Sequence, residues 1–212
     1  MDPLDEEALP RAIALAWGVA ANPQRGPRRE LNIESIVDAA VQIADDQGLG
    51  AVSMSSVATA LGFTTMSLYR YVTAKDDLIQ LMQEVGLGLP PLSIGESGSW
   101  RDGLTRWYRE SLEVYGAHPW ILDIPIVGEP NTPNNLAWLD AGLGVLDDTP
   151  LDPAARTSTV LLITGLSRWE AQITRGYTPE GTAATNRMLA QLVTAEQFPY
   201  LAPILNGAGT SD

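Results

Sequence analysis

Apolar residues recur three and four positions apart along this chain, and nowhere do they alternate for long. Ile33, Ile36, Val37, Ala40, Val41 and Ala44 share that spacing, and Gly48 and Gly50 follow them. Such spacing lays side chains along one stripe of an α-helix, whereas a half-buried strand needs period two. No sustained period-two run occurs, and no hairpin turn joins two such runs. The chain is therefore expected to be all-α.

The helices are short at first. Ser53 is placed to cap a second helix that carries Val57, Ala58 and Leu61, because a serine oxygen accepts from amides the first turn leaves free. Gly62 is expected to end that helix, since a C-terminal cap usually needs a left-handed residue. A third helix is expected to start at Thr64 or Thr65 and run to about Val72. Thr73 is expected to cap a fourth, beginning at Lys75 or Asp76. In it Asp76 and Asp77 complement the positive helix end, and Leu78, Ile79, Leu81, Met82 and Val85 form the apolar face. Three helices with a tight glycine turn between the second and third make a helix-turn-helix, whose second element enters the DNA major groove when it binds DNA.

Leu68 and Val72, four apart, are expected to face the core, with Phe63 packing beneath them. Thr65, Met66, Ser67, Tyr69, Arg70 and Tyr71 then point outward or flank the helix. Small hydroxyl side chains let a helix approach base edges closely, and a Thr or Met methyl can touch a thymine methyl. Tyrosine hydroxyls, the single lysine Lys75, and the free amides at the start of the fourth helix suit phosphate oxygens. Spacing alone leaves a second reading open, since many helix-turn-helix proteins bind no DNA and Tyr69 and Tyr71 also suit a domain rim.

Charge sharpens the choice. The net charge is −13, which argues against a polyanionic partner. Its distribution is uneven. Residues 25–75 balance Arg25, Arg28, Arg29, Arg70 and Lys75 against Glu30, Glu34, Asp38, Asp45 and Asp46, so this segment is neutral and the acidity lies elsewhere. The chain has no cysteine, which excludes disulfides, thiolate zinc sites and cysteine nucleophiles.

The segment from Ile33 to Met82, IVDAAVQIADDQGLGAVSMSSVATALGFTTMSLYRYVTAKDDLIQLM at its centre, resembles the DNA-binding domain of the TetR (tetracycline-repressor) family of transcriptional regulators. The resemblance rests on a helix ending in glycine, a Ser-capped short helix with VA..LG, then LY.Y, then a lysine followed by..L. It implies that Thr64, Thr65, Met66 and Ser67 read bases and that Tyr69, Tyr71 and Lys75 grip phosphates, with Arg70 on a variable outward position. Ser53 would cap the helix that crosses the backbone, with Ser55 exposed near it. Some members carry arginine at the Ser55 position, and Phe63 replaces a smaller valine. Arg25, Arg28 and Arg29 form a basic arm ahead of the domain, suited to phosphate or minor-groove contacts or to a solvated linker.

Four segments are expected: an N-terminal helical extension over 1–24, the helix-turn-helix DNA-binding domain over 25–86, a larger helical ligand-binding and dimerisation domain over 87–206, and a disordered tail over 207–212. The extension is expected to form a short helix with Leu9, Ile13, Ala16, Trp17 and Ala20 on one face. Acidic residues precede its apolar run where a signal peptide needs positive charge, and no run reaches the roughly 18 residues of a membrane span. A cytoplasmic location is expected, with no membrane partner. GLGLPPLSIGESG marks the break before the second half, where helices are expected near 99–117, 132–147, 153–176, 182–194 and 195–205.

The resemblance implies that the second half dimerises through two late helices and encloses a small-molecule pocket. Ser158, Leu161 and Gly165, with Met188, Leu189, Leu192 and Val193, are the dimer candidates, because small residues among apolar ones permit close helix approach. Pocket candidates are Trp107, Tyr108, Tyr115, His118, Trp120, Trp138, Trp169 and Tyr177, although aromatics at helical spacing are more often core. His118 is the only histidine, so neither a metal site nor triad chemistry is expected, and no nucleophile elbow or phosphate-binding loop is present. The expected partners are a double-stranded DNA operator, a second copy of the chain and a small-molecule effector, without a cofactor and without catalysis.

Overall fold

A computed structural model describes residues 9–19, 31–96 and 98–207. Ten α-helices follow in order: α1 (Arg11–Ala16), α2 (Ile33–Gln47), α3 (Met54–Leu61), α4 (Thr65–Leu68), α5 (Lys75–Leu87), α6 (Trp100–Ala117), α7 (Pro133–Val145), α8 (Pro153–Thr174), α9 (Pro179–Leu192) and α10 (Leu201–Gly207). Short 3-10 turns lie at Leu49–Ala51, Leu92–Ile94 and Pro119–Asp123, and no strand occurs among the described residues. The all-α expectation holds. Arg25, Arg28, Arg29 and Ala20, and the tail beyond Gly207, lie outside the described residues.

The helix boundaries follow local chemistry. Asn32 accepts from the Ser35 amide at 2.7 Å while the Ser35 hydroxyl engages the Asn32 amide, a reciprocal cap that starts α2. Gly48, at φ +82°, stops it. The predicted stripe is the buried one: Ile33, Ile36, Val37, Ala40 and Ala44 face inward. Helix α5 lies across it with Leu78, Leu81 and Met82, and α3 adds Met54, Val57 and Ala58. Each Val, Leu, Ile or Met among them contributes about 1.5–3 kcal/mol when fully buried. Val85, assigned to the same face of α5, is instead half exposed. This first core does not stop at the helix-turn-helix. Tyr115, Trp120, Ile121, Leu122 and Ile124, from the end of α6 and the turn after it, belong to the same cluster.

A second core sits under α6, α7 and α8, built from Ile94, Leu104, Trp107, Trp138, Leu146 and Val160. Two glycines let these helices touch. A Cβ on Gly103 would fall 2.6 Å from a Val145 methyl, and one on Gly142 would fall 2.7 Å from a Val160 methyl, so neither position admits a side chain unless its neighbours shift. Glu84 links α5 to this core: its carboxylate accepts from the Asn134 amide at 2.8 Å, a favourable placement for negative charge at the start of α7.

Contacts divide the chain into two compact units, Met1–Ala171 and Gln172–Asp212. The boundary expected near residue 86 falls inside the first unit. In the second, α9 and α10 pack on each other, yet α9 buries no residue.

Several boundaries differ from expectation. Helix α1 is only one and a half turns long because the chain turns at Gly18, φ +65°, and it buries Ala12 and Ala14 rather than the Leu9–Ile13–Trp17 face. Trp17 is exposed, and its indole donates to the Asn131 carbonyl at 2.9 Å. Helix α9 starts at Pro179 rather than 182 because Thr178 accepts from the Gly181 amide and proline suits the first helical position. Helix α10 runs from Leu201 to Gly207, so it starts later than 195 and takes in Gly207.

Candidate nucleic-acid interface

The turn between α3 and α4 is built from backbone hydrogen bonds. Ser53 caps α3 through the Ser56 amide at 3.0 Å, and the Ser56 hydroxyl accepts from the Ser53 amide at 2.9 Å. At the other end Gly62 adopts φ +76°, the Gly62 amide donates to Thr59 and the Phe63 amide to Ala58. That pair of bonds is the Schellman arrangement, which needs a left-handed residue at Gly62. It brings α4 up immediately after α3.

Helix α4 is shorter than its predicted run to Val72. Regular helix ends at Leu68, and Tyr69–Tyr71 continue as a turn closed by the Tyr71 and Val72 amides on the Leu68 carbonyl. Leu68 and Val72 are fully buried, as expected, and anchor the element. Phe63 is not beneath them: its ring is 40% exposed and lies outside the core, because the αL turn carries it away from the helix underside.

The opposite side presents the predicted set. Met66 is 75% exposed, Tyr69 and Arg70 are exposed, and Thr64 is exposed. Thr65 and Ser67 are half-buried, and the Ser67 and Thr64 hydroxyls lie 2.9 Å apart. Tyr71 differs from its neighbours, since its ring packs against the first core. Ser55 is exposed on α3, while the Ser53 side chain is engaged in the cap.

Lys75 is exposed at the first position of α5. The residue before it, Ala74, caps that helix without a side-chain acceptor. Thr73, expected in that role, instead donates its hydroxyl to Asp77 at 2.5 Å. The start of α5 thus carries no side-chain cap, and first-turn amides of such a helix are free to donate to an anion.

The pocket candidates do not gather in one place. Trp107 and Trp138 meet edge to face at 5.6 Å in the second core, where Trp107 donates to the Trp138 carbonyl and Trp138 to the Gly88 carbonyl. Tyr115 and Trp120 are buried in the first core. Burial pushes the Tyr115 hydroxyl upward, opposed by the nearby Arg168 charge. Tyr108 donates to Glu170 on α8, and that hydrogen bond, with some desolvation, lifts its hydroxyl to about 12. Trp169 is 61% exposed, and Tyr177, in the second unit, is also exposed. A cleft of about 330 Å³ opens between α7 and α8, lined by Asp140, Leu143, Gly144, Asp147, Pro153, Arg156 and Thr157, and none of the eight aromatic candidates lines it.

Most of the dimer candidates lie exposed. On α8, Ser158, Leu161 and Gly165 are exposed, as are Leu162, Leu166 and Trp169, which sequence reasoning did not single out for this role. On α9, Met188 and Leu192 are exposed, and Leu189 is half-buried. His118, weighed as a ligand contact, instead lies 2.8 Å from Asp45. Asp45, Arg168 and Glu170 were also missed. Only Asp45 carried a signal, as an acid in the last turn of α2, where the helix dipole disfavours it.

Comparison with known proteins agrees with this geometry. A family profile described as bacterial regulatory proteins, tetR family, matches residues 36–82, and one described as tetracyclin repressor-like, C-terminal domain, matches residues 91–212. The HTH-type transcriptional repressor DrrR1 of Streptomyces coeruleorubidus is 33% identical over 92% of this chain and 77% of its own length. An HTH-type transcriptional regulator of Saccharopolyspora erythraea is 28% identical over 86% of this chain and 76% of its own. Among solved structures, apo ActR of Streptomyces coelicolor superposes with a TM-score of 0.74 at 23% identity, covering 89% of this chain and 88% of that one. ActR in complex with actinorhodin gives 0.73 at 24%, covering 89% of both chains. At such identities the structures establish a shared fold.

Proposed function

The chain belongs to the TetR family of bacterial regulatory proteins, and from that premise we propose that it is a homodimeric repressor that grips a pseudo-palindromic operator and releases it when a small molecule binds its C-terminal half. The observation that carries the reading is the two-sided α4. Leu68 at its end and Val72 just after it are locked into the core, while on the other side Met66 is exposed and Thr65 and Ser67 are half-buried beside it, the side that would meet base edges. Lys75 and the uncapped start of α5 supply the phosphate contacts, with Tyr69 beside them in sequence. The acidity of the rest of the chain keeps other surfaces off the duplex.

A second copy is the occupant proposed for the exposed apolar rows of α8 and α9. An isologous pair would set two recognition elements about 34–36 Å apart, one turn of DNA. ActR was solved with actinorhodin and with (S)-DNPA, which supports a small-molecule effector here too. Such an effector shifts the equilibrium only by its difference in affinity between the operator-bound and released forms.

Selection of the bound duplex from random sequence, followed by binding assays, tests this reading. Lys75→Ala is expected to weaken all sequences alike and to reduce the salt slope by about one. An unchanged slope would remove Lys75 from the phosphate contacts. Thr65→Ala and Ser67→Ala are each expected to cost about 1–3 kcal/mol at particular base pairs and little elsewhere. A uniform loss across operator variants would reassign them to positioning, and no selected duplex at all would overturn the function.

A further inference from the structure

The last turn of helix α2 carries two aspartates, 45 and 46, and no basic residue. Negative charge there opposes the helix dipole, so helix stability alone does not explain Asp45. Its partners do. One oxygen of Asp45 accepts from the Trp120 indole at 2.6 Å and lies 2.8 Å from His118 Nδ1. The Asp45 and His118 side chains are only 25% and 26% exposed.

The two donors flank Pro119 and reach Asp45 from the 3-10 turn that follows α6. Trp120 is buried, and its ring lies so close to α5 that a Cβ on Gly86 would meet it at 3.0 Å. One indole thus holds α2 by its N–H and lies against α5 with its outer ring carbons. The far end of the same segment is gripped from α8, where the Arg168 guanidinium donates to the Leu122 and Ile124 carbonyls. Helix α8 carries the exposed apolar row assigned above to the partner copy. The helices that bear the DNA contacts are therefore tied, through one short turn, to the helix proposed to set the dimer.

Apolar packing is non-directional and lets one surface rotate on another, whereas two donors converging on one oxygen do not. We propose that Asp45 is a positioning residue: by accepting from Trp120 and pairing with His118 it sets the angle of the DNA-reading helices relative to α8, and hence the half-site spacing that the dimer accepts. This rests on the homodimeric DNA-binding reading above.

The test uses the full chain. With no cysteine present, Ala60→Cys on the exposed side of α3 gives one spin label per protomer. The wild-type background should give one narrow distance between labels in the dimer. Asp45→Ala should broaden it about twofold, and Asp45→Asn, which keeps an acceptor oxygen, should restore it. Against the selected operator, Asp45→Ala should lose about tenfold in affinity and tolerate an inserted base pair between half-sites, while an isolated half-site binds as before. Trp120→Phe, which removes the indole N–H and part of the ring system but keeps an aromatic side chain in the core, should act in the same direction and covers the case in which the alanine variant misfolds. Unaltered label distances and spacing preference in both variants, or equal losses on half-site and full operator, would overturn the proposal. Wild-type chain that binds no duplex, or that stays monomeric, would overturn the functional reading itself and this inference with it.

Discussion

Replacing Leu162 by glutamate is expected to leave the chain monomeric and to cut its affinity for a two-half-site operator about 10²–10⁴-fold. Leu162 is 73% exposed at the middle of α8, with Leu166 and Trp169 four and seven positions on, along the same face. A row of large apolar side chains left in water marks an interaction surface, and a carboxylate placed in its middle would be buried without a partner. The loss of operator affinity follows from geometry rather than from any altered contact. A dimer engages its second half-site at the effective concentration set by the first, and a monomer forfeits that gain. An isolated half-site should bind equally well before and after the change. Sedimentation and fluorescence anisotropy check the two halves of the expectation, and a variant that remains dimeric would show that α8 does not carry the interface.

Trp120→Ala is expected to destabilise the first unit by about 3–5 kcal/mol, visible as a lower denaturant midpoint. Trp120 is among the largest fully buried side chains, and it fills the space between α2, α5 and the turn after α6. Its removal opens a cavity against Gly86 and Ile121 that rigid helices close only in part. It also strips Asp45 of its indole donor. Trp120→Phe should cost less, because a phenyl ring still fills part of the space. A midpoint change of similar size for both variants would place the stability in what both lose, the indole N–H and the outer ring atoms against Gly86.

Much of the candidate site was legible from residue order. Ser53 as a cap, Gly62 as a left-handed stop, and Leu68 with Val72 as the buried pair of the recognition element all depend on neighbours within four or five positions, and all three are where the spacing puts them. Errors cluster where two short-range rules compete. Thr73 was the natural cap of α5, yet its hydroxyl goes to Asp77, and Ala74 takes the terminus. Phe63 looked like core because it is apolar, but the turn that Gly62 creates swings it outward. The aromatic residues of the second half misled more, since composition alone cannot distinguish a tryptophan that lines a cavity from one such as Trp107, whose indole N–H is satisfied by the Trp138 carbonyl.

Residue order by itself determined that the chain is helical, that a helix-turn-helix lies between Ile33 and Met82, and which side of α4 faces outward, because helical period, caps and turns are written into residues three to five apart. Only the tertiary structure decided that this head shares its core with Tyr115–Ile124, that Asp45 meets partners 73 and 75 positions away, and that α8 keeps an uncovered apolar row. Those pairings depend on which helix surfaces bury the most apolar area together, a property of the whole packed chain that no local window contains.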